Sequence, residues 1–231
     1  MISSSCFNKC VAIIPAFDEG NTIYSVVSGV KQYISNVIVI DDGSSDNTTA
    51  YAEKAGATVL RHNINRGKGA ALKTGFKYAL MNGTDLVIVL DGDGQHNPSD
   101  LAIFMKALYK TDADIIIGDR LRDNGNMPLG RKLTNSASSG LISLLLGKRL
   151  IDVHCGYRCI RANVLKDIIL ECDKFDIDIE LIIKAVKQGF TLKEINIETI
   201  YCNGNSKIKP FGDTIRYFRT LIKENILGGK F

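Results

Sequence analysis

The 231-residue sequence contains no apolar run close to the roughly 18–20 residues that a membrane-spanning helix requires. The segment 1–9 also has no apolar core of the kind that a secretory signal peptide carries. We therefore expect a cytoplasmic protein, which leaves open an association with a membrane surface. Internal repeats and low-complexity tracts are absent as well. The length is that of one sizeable domain with ample chain for a core.

Strong charge and metal-binding cysteine patterns are missing too. The net charge of +4 permits attraction to anionic substrates or to an anionic membrane surface, but it is too weak to indicate nucleic-acid binding. The six cysteines form no Cys-x-x-Cys pair, so we expect most of them to be reduced packing residues. Neither the third glycine of G-x-G-x-x-G nor a P-loop sequence occurs, which argues against those two phosphate-binding signatures.

The clearest functional signal is a five-residue apolar run followed by two carboxylates. Residues 86–90 are typical of a strand that is buried on both faces, and Asp91-Gly92-Asp93 follows directly. Neighbouring carboxylates repel each other unless a cation lies between them, and a hard ion such as Mg²⁺ or Mn²⁺ prefers oxygen ligands. Asn97 and Pro98 then indicate the start of a helix. The segment predicts a metal and diphosphate site at the carboxyl end of a strand.

Strands and helices are predicted to alternate through the first half of the chain. The expected strands are 10–15, 36–40, 57–61, 86–90 and 113–118, with amphipathic helices between them. Short links between such elements favour an open α/β fold with a mostly parallel sheet and helices on both faces. Ligands bind beyond the carboxyl ends of the strands in these sheets. The carboxylate-bearing loops 15–19, 41–43 and 91–93 all fall at such ends.

The second half of the chain is less regular. Residues 119–130 are polar and glycine-containing, which predicts a mobile loop, and 131–147 place two cations before a Leu/Ile-rich helix that could face either the core or a membrane. A strand or hairpin is expected at 155–160, helices near 162–171 and 177–188, and an alternating strand over 192–200. Residues 213–227 predict a helix that is basic on one side. Asp178 and Glu180 are expected as favourable acidic residues at a helix start.

Five motifs occur in order along the chain: Pro15-Ala-Phe-Asp-Glu19, Val39-Ile-Asp-Asp-Gly-Ser44, Arg66-Gly-Lys-Gly69, Asp91-Gly-Asp93 and Gly156-Tyr-Arg158. Together they resemble the motifs of the family-2 inverting glycosyltransferases of GT-A fold, within them the dolichyl-phosphate mannose and glucose synthases. The resemblance extends over nearly the whole chain. It implies one GT-A domain over 1–231, with a nucleotide-sugar-binding half at 1–118 and an acceptor-binding half with membrane-proximal amphipathic helices at 119–231.

The resemblance also implies a donor site. Asp91 and Asp93 would hold Mg²⁺ or Mn²⁺ with Gln95 completing the shell, and the metal would stabilise the departing nucleoside diphosphate. Asp93 and Arg120 are the implied catalytic residues, since an arginine fork suits phosphate oxygens. Close relatives carry an arginine six residues before the late-loop lysine, where this chain has Tyr201. The implied nucleotide-sugar-binding residues are Pro15, Phe17, Glu19, Ile40, Asp42, Lys68, Asp91, Gly92, Asp93, Arg120 and Lys207.

The implied acceptor is a polyprenyl or dolichyl phosphate, bound through Arg131 and Asn135 by a protein that lies peripherally on the cytoplasmic face of the membrane. The implied reaction is metal-dependent, inverting transfer of mannose or glucose from GDP-mannose or UDP-glucose, by attack of the lipid phosphate on the anomeric carbon. Three alternatives stay open. The first is the same fold with a polysaccharide or soluble acceptor, and the second is a sugar-1-phosphate nucleotidyltransferase, which the lack of a Gly-rich loop after the first strand disfavours. The third is a non-catalytic sugar-nucleotide sensor or membrane-surface adaptor.

Overall fold

The computed structural model describes residues 9–121, 127, 129–198 and 200, without the side chains of Leu129 and Arg131. Its strands are β1 (Cys10–Ala16), β2 (Val37–Asp41), β3 (Thr58–Arg61), β4 (Leu86–Val89), β5 (Ile115–Asp119), β6 (Arg158–Arg161) and β7 (Leu192–Asn196). Its helices are α1 (Ile23–Lys31), α2 (Thr48–Lys54), α3 (Lys68–Met81), α4 (Leu101–Lys110), α5 (Leu129–Leu146), α6 (Ala162–Asp167) and α7 (Ile177–Lys187). The predicted helix 213–227 lies outside the described residues, as do Tyr201 and Lys207.

The seven strands form one mixed sheet in the order β3-β2-β1-β4-β6-β5-β7. Every neighbouring pair is parallel except for the two pairs that involve β6, which runs antiparallel to β4 and to β5. The expectation of an open, mostly parallel α/β sheet is confirmed. The insertion of β6 between β4 and β5 was not predicted, because a strand of four residues, two of them arginines, carries no local signal for which distant strands it joins.

The sheet core consists of strands that are apolar almost throughout. All residues of β1, β2, β4 and β5 are buried, as expected for strands that are covered on both faces. Helix α3 packs on β1 and β2 and contacts α6 and α7, whereas α1 contacts α2 and the 3₁₀ turn 98–100. Three cysteines, Cys10, Cys155 and Cys159, are buried free thiols. They are packing residues, as expected, and burial raises the pKa of Cys10 and Cys155 to about 12.

Several helix boundaries follow from local signals. The Asn97 side chain accepts a hydrogen bond from the Ser99 N–H over 3.1 Å, and Pro98 begins the 3₁₀ turn that leads into α4, which confirms the predicted cap. Gly56 has a φ of +87° and ends α2, in a backbone conformation that glycine adopts readily. Helix α6 is shorter than predicted. The Glu180 carboxylate accepts the backbone N–H groups of 171 and 172, so tertiary hydrogen bonds replace the last helical turn.

Helix α5 is largely exposed along its length. Of its described apolar side chains, Ile142 is fully buried, whereas Leu133 is 71% and Leu144 is 79% exposed. The sequence left open whether this helix faces the core or a membrane, and the described side chains place only one narrow stripe against the core. None of the helices in the described ranges combines the length and apolar character that crossing a bilayer requires.

Candidate functional site

The loops that follow β1, β2 and β4 meet at one edge of the sheet. These strands are parallel neighbours, so their carboxyl ends point the same way. The Thr22 hydroxyl donates to the Gly92 carbonyl oxygen over 2.7 Å and joins the β1 loop to the β4 loop. The Asp18 N–H donates to Ser44 Oγ over 2.9 Å and joins the β1 loop to the β2 loop. The predicted convergence of three carboxylate-bearing loops is confirmed.

Most of the predicted donor-site residues in the described ranges lie along this edge. Pro15 is paired in register with Ile40 near the ends of β1 and β2. The Glu19 N–H donates to Thr48 Oγ1 over 2.8 Å, which fixes the β1 loop against the start of α2. The residues that the three loops, the ends of their strands and the start of α3 contribute are Pro15, Phe17, Glu19, Ile40, Asp42, Lys68, Asp91, Gly92 and Asp93. Their contacts with a nucleotide sugar stay predictions.

The Asp42 carboxylate is buried and holds the chain that leads into α3. Its Oδ1 lies 2.7 Å from His62 Nδ1 and accepts the Arg66 N–H over 3.0 Å, while its Oδ2 accepts the Gly67 N–H over 2.6 Å. His62 Nε2 lies 2.9 Å from Thr74 Oγ1. The role of His62 could not be predicted from local sequence, because its partners are 12 and 20 residues away.

The loop that Asp42 holds lines an open groove of about 440 Å³. The groove is lined by Arg61, His62, Asn63, Ile64 and Arg66. The Arg61 side chain is 55% exposed and its guanidinium donates to the Ser44 carbonyl oxygen over 2.7 Å, so it bridges the groove and the β2 loop. With two arginines, this groove is suited to a polar or anionic ligand.

Lys68 lies between two carboxylates. Its Nζ is 2.7 Å from Asp91 Oδ1 and 3.1 Å from Asp178 Oδ2. Although burial disfavours the ammonium, Asp178 and Asp91 raise the pKa of Lys68 above its ordinary value. Burial also disfavours the Asp91 carboxylate, but Lys68 and His96 hold the pKa of Asp91 well below its usual range. Lys68 and Asp91 therefore form a charged pair at neutral pH.

Arg158 completes this buried network. Its Nη1 lies 3.1 Å from Asp178 Oδ1, and its Nε and Nη2 donate to the carbonyl oxygens of Cys155 and Val153 over 2.8 and 2.9 Å. Arg158 is 1% exposed and Asp178 is 6% exposed. Arg158 belongs to a sequence motif and Asp178 was predicted at a helix start. Their contacts with each other and with Lys68 were not predicted, because the three residues lie on different elements.

Asp91 and Asp93 fit a hard divalent cation. Burial, and after it the charge of Asp91, raises the pKa of Asp93, so a cation between the two carboxylates relieves an unfavourable repulsion. No group of three or more His, Cys, Asp or Glu side chains in the described part of the chain could hold a metal by itself. Two carboxylates with open positions are the donor set that Mg²⁺ uses when substrate phosphates supply the remaining ligands.

The residues after Asp93 support this loop. The Gln95 N–H donates to Asp93 Oδ1 over 3.0 Å, and the Gln95 carbonyl oxygen accepts the Ile200 N–H over 3.0 Å. A metal-binding role for the Gln95 side chain stays a prediction. His96 is 2% exposed, and its Nε2 lies 3.5 Å from Asp91 Oδ2. Its ring centroid lies 5.2 Å from that of Tyr157, so the imidazole is packed between Asp91 and the core.

Arg120, the predicted diphosphate ligand, forms a bidentate pair with a buried carboxylate. Its Nε donates to Asp152 Oδ2 over 2.7 Å and its Nη2 donates to Asp152 Oδ1 over 3.0 Å. Asp152 is fully buried, and although burial favours its protonated form, Arg120 lowers the pKa of Asp152. The sequence did not predict this partner. A phosphate contact of Arg120 therefore has to come from the N–H groups that Asp152 does not use.

The predicted acceptor segment is described only in part. Asn135 is a half-buried residue of α5, whereas the side chain of Arg131 lies outside the described atoms. One turn further along α5, Ser138 Oγ lies 2.6 Å from His154 Nε2. His154 belongs to the segment between Asp152 and Arg158, so α5 is connected directly to the loop that carries the buried charges.

The model of one protein family, Glycosyl transferase family 2, matches residues 11–169. The chain is 30% identical to a UDP-N-acetylglucosamine–dolichyl-phosphate N-acetylglucosaminyltransferase of Methanococcus voltae, over 82% of this chain and 84% of the relative. It is also 30% identical to an undecaprenyl-phosphate mannosyltransferase of Micrococcus luteus, over 82% of each chain.

Among solved structures, the fold is similar to that of glucosyl-3-phosphoglycerate synthase from Mycobacterium tuberculosis, in complex with Mn²⁺, UDP and glucosyl-3-phosphoglycerate. The TM-score is 0.77 at 20% identity, and the match covers 94% of this chain and 80% of that one. At this identity the similarity establishes the architecture of the sheet and its helices.

Proposed function

This chain belongs to glycosyl transferase family 2, and on that premise we propose that it transfers a hexose from a nucleotide sugar to a polyprenyl phosphate. The single observation that carries the proposal is the meeting of the β1, β2 and β4 loops around Asp91 and Asp93. Two relatives at 30% identity act, by their names, on dolichyl phosphate and undecaprenyl phosphate. The donor is GDP-mannose or UDP-glucose in our proposal.

In the donor site, Asp91 and Asp93, with Gln95, would hold Mg²⁺ or Mn²⁺. When bound, the metal would supply Lewis-acid stabilisation of the departing nucleoside diphosphate. The ammonium of Lys68 lies beside Asp91 and is available to the same phosphate oxygens. The groove between Arg61 and Arg66 adjoins the loop fixed by Asp42, and we assign the nucleoside to it, since its polar and cationic lining suits a ribose and a base.

In the reaction, a phosphate oxygen of the acceptor attacks the anomeric carbon. The new bond joins that carbon to the acceptor oxygen, and the bond to the diphosphate oxygen breaks with its electron pair, which inverts the configuration. The acceptor phosphate is anionic at neutral pH, so no strong general base is needed. Arg120 and Lys207 are the further cations that we assign to the donor diphosphate, and Arg131 with Asn135 is assigned to the acceptor phosphate.

We assign the acceptor side to helix α5 and to the membrane surface. Leu133 and the adjacent pair Leu144 and Leu145 are exposed apolar residues on this helix, and Lys148 and Arg149 follow at its end. Apolar side chains next to cations suit an interface with anionic lipid headgroups. This arrangement supports a peripheral enzyme that binds the phosphate of a lipid whose tail stays in the bilayer, on the cytoplasmic face.

The test is release of nucleoside diphosphate from GDP-mannose, UDP-glucose and UDP-N-acetylglucosamine in parallel, with Mn²⁺, with and without a short polyprenyl phosphate in detergent. We expect release with one donor that requires both the metal and the lipid phosphate, and that falls at least 100-fold in Asp93→Ala, on the order seen when transition-state charge stabilisation is lost. Asp112→Asn removes an exposed carboxylate and is the matched control.

Two other outcomes would contradict the proposal in different ways. Release that requires a small phosphorylated acceptor such as a phosphoglycerate, and not the polyprenyl phosphate, would assign the site to a soluble acceptor. Metal-dependent nucleotide binding without turnover of any donor would instead indicate a sugar-nucleotide sensor.

A further inference from the structure

Lys68 is a permanent positive charge inside the site to which we assign a divalent cation. Its Nζ contacts Asp91 Oδ1 at 2.7 Å and Asp178 Oδ2 at 3.1 Å, and only 11% of its side chain is exposed. Asp91 belongs to the predicted metal site, whereas Asp178 lies on α7, on the other side of the lysine. A cation that binds Asp91 must therefore share this carboxylate with an ammonium that is already there.

Lys68 is held in this position by close backbone packing. A Cβ at Gly67, which has a φ of +106°, would lie 2.4 Å from the Asp173 carbonyl oxygen, and a Cβ at Gly69 would lie 2.5 Å from the Cys172 carbonyl oxygen. The two glycines let the start of α3 approach the segment before α7. The Phe175 ring, with its centroid 5.9 Å from Nζ, covers another side of the lysine.

Asp178 is in turn fixed by Arg158. The guanidinium pairs with Asp178 Oδ1 at 3.1 Å and donates to the Asp178 carbonyl oxygen over 2.8 Å. Because Arg158 is fully buried and its other N–H groups bind carbonyl oxygens, Asp178 has one well-defined position. The carboxylate keeps the Lys68 ammonium at the site even when another cation competes for Asp91.

The formal charges of these side chains favour the binding of a divalent cation together with a diphosphate over the binding of the cation alone. Three carboxylates, Asp91, Asp93 and Asp178, face two cations, Lys68 and Arg158, and leave one net negative charge. A divalent cation alone would reverse this charge, which is costly in a partly buried site. A divalent cation together with a diphosphate would not, since the diphosphate brings the compensating negative charge.

We propose that Lys68, held by Asp178, strengthens the mutual dependence between the binding of the divalent metal and the binding of the nucleoside diphosphate. The inference rests on the proposed function, because it takes Asp91 and Asp93 as the metal ligands. Lys68 and Asp178 are positioning residues in this view. The lysine weakens metal binding when the metal binds alone, and it strengthens metal binding once the diphosphate is present. By linkage, the metal strengthens diphosphate binding by the same factor.

The experiment measures Mn²⁺ affinity of the full chain by electron paramagnetic resonance, first alone and then with saturating GDP or UDP. The ratio of the two dissociation constants is the coupling factor. We expect a factor of at least about 10 in the wild type, within the 5- to 150-fold range of typical couplings. In Lys68→Met, Mn²⁺ alone should bind several-fold more tightly, and the coupling factor should fall several-fold below that of the wild type.

A second variant should change the Mn²⁺ affinity in the opposite direction. Asp178→Asn removes a negative charge and leaves Lys68 to Asp91 alone, so Mn²⁺ alone should bind several-fold more weakly than in the wild type. Lys68→Arg keeps the charge and should retain most of the coupling. The matched control is Lys73→Met, on the same helix, because Lys73 pairs with the exposed Asp173 and its loss changes the net charge of the protein equally.

The outcomes separate this inference from the proposed function. The inference is overturned if Lys68→Met binds Mn²⁺ no more tightly than the wild type and keeps the wild-type coupling factor. The assignment of Asp91 and Asp93 to the metal would still hold in that case. The inference is also overturned if Lys73→Met changes the Mn²⁺ affinity as much as Lys68→Met does, since the net charge of the protein would then be the cause. A wild-type protein that binds no Mn²⁺ even with GDP or UDP overturns both the metal dependence and this inference.

Discussion

The Arg120 guanidinium donates two hydrogen bonds to the Asp152 carboxylate, from Nε over 2.7 Å and from Nη2 over 3.0 Å. The pair joins the end of β5 to the loop before β6, and the Asp152 N–H is itself bound by the Glu194 carboxylate over 3.1 Å. Bidentate geometry orients the guanidinium plane. Asp152 thus determines which edge of Arg120 can face a ligand.

Asp152→Ala should destabilise the protein by about 3–5 kcal/mol, because it removes the buried acceptor of two hydrogen bonds from the Arg120 guanidinium. Chemical denaturation at pH 7 measures this loss. Asp152→Asn is the matched variant, since it keeps one acceptor for Arg120, and it should cost less. A loss below about 1 kcal/mol in Asp152→Ala, on the scale of a surface ion pair, would show that the pair does not hold the fold.

Asp100 should give the protein a distinct pH dependence. Burial, and after it the charge of Glu198, raises the pKa of Asp100 to about 6, and Asp100 Oδ2 is buried without a hydrogen-bond partner in the described part of the chain. Because this pKa lies above the unfolded-state value of 3.8, the folded protein binds more protons between about pH 4 and 6. The Asp100 contribution to stability is therefore present below pH 4 and falls as the pH rises to 6.

Asp100→Asn should reduce this slope and stabilise the protein by about 1–2 kcal/mol at pH 7, since a charged carboxylate no longer has to be buried. Urea denaturation at several pH values between 4 and 7.5 tests both effects. Asp91 and Asp152 have lowered pKa values and act below this window, whereas burial raises the pKa of Asp93 and of Glu194, which therefore keep part of the slope in the variant. Asp112 is exposed, so the free energy of unfolding of Asp112→Asn should stay within about 0.5 kcal/mol of the wild-type value. An identical pH slope in Asp100→Asn and the wild type would refute the assignment.

Gly156→Ala should disturb the charged site more than the fold. A Cβ at Gly156 would lie 2.6 Å from Asp91 Oδ2 and 2.9 Å from Lys68 Nζ, both of them ends of side chains that can move. We expect Mn²⁺ affinity and hexose transfer to change at least about 10-fold, while the free energy of unfolding changes by roughly 1 kcal/mol. Metal titration and denaturation measure the two quantities on the same sample.

The control for that variant is Gly140→Ala on α5, where a Cβ would meet nothing within 4 Å. Because alanine favours the helix more than glycine does, Gly140→Ala should raise the free energy of unfolding by up to about 1 kcal/mol. The Mn²⁺ affinity should not change. Equal effects of the two substitutions on Mn²⁺ binding would show that Gly156 has no special relation to Asp91.

Asp42→Ala should loosen the loop before α3. The substitution removes the acceptor of the Arg66 N–H, the Gly67 N–H and the His62 imidazole. We expect the free energy of unfolding to fall by at least about 2 kcal/mol. Because this loop lines the groove that we assign to the nucleoside, the KM for the donor should rise as well. His62→Ala is the milder comparison, and a donor KM unchanged in both variants would remove the groove from the donor site.

The sequence alone was sufficient for the parts of this protein that depend on local pattern. Buried strands such as 86–89 are continuous apolar runs, the Asn97–Pro98 helix start is a cap signal, and the loop carboxylates Asp42, Asp91 and Asp93 follow strands directly. The order of five motifs was enough to indicate the family. Each of these signals lies within about ten residues of the chain, where periodicity and turn chemistry operate.

Only the tertiary structure decided which charges meet. Lys68, Asp178 and Arg158 lie on α3, α7 and β6, and their contact depends on how these elements pack. The pairing of Arg120 with Asp152, and the position of β6 as the antiparallel strand between β4 and β5, are likewise contacts between distant segments. A charged side chain has the same local signal on a solvated surface as in a buried pair. Its partner is therefore fixed by the fold, since desolvation makes an unmatched buried charge costly.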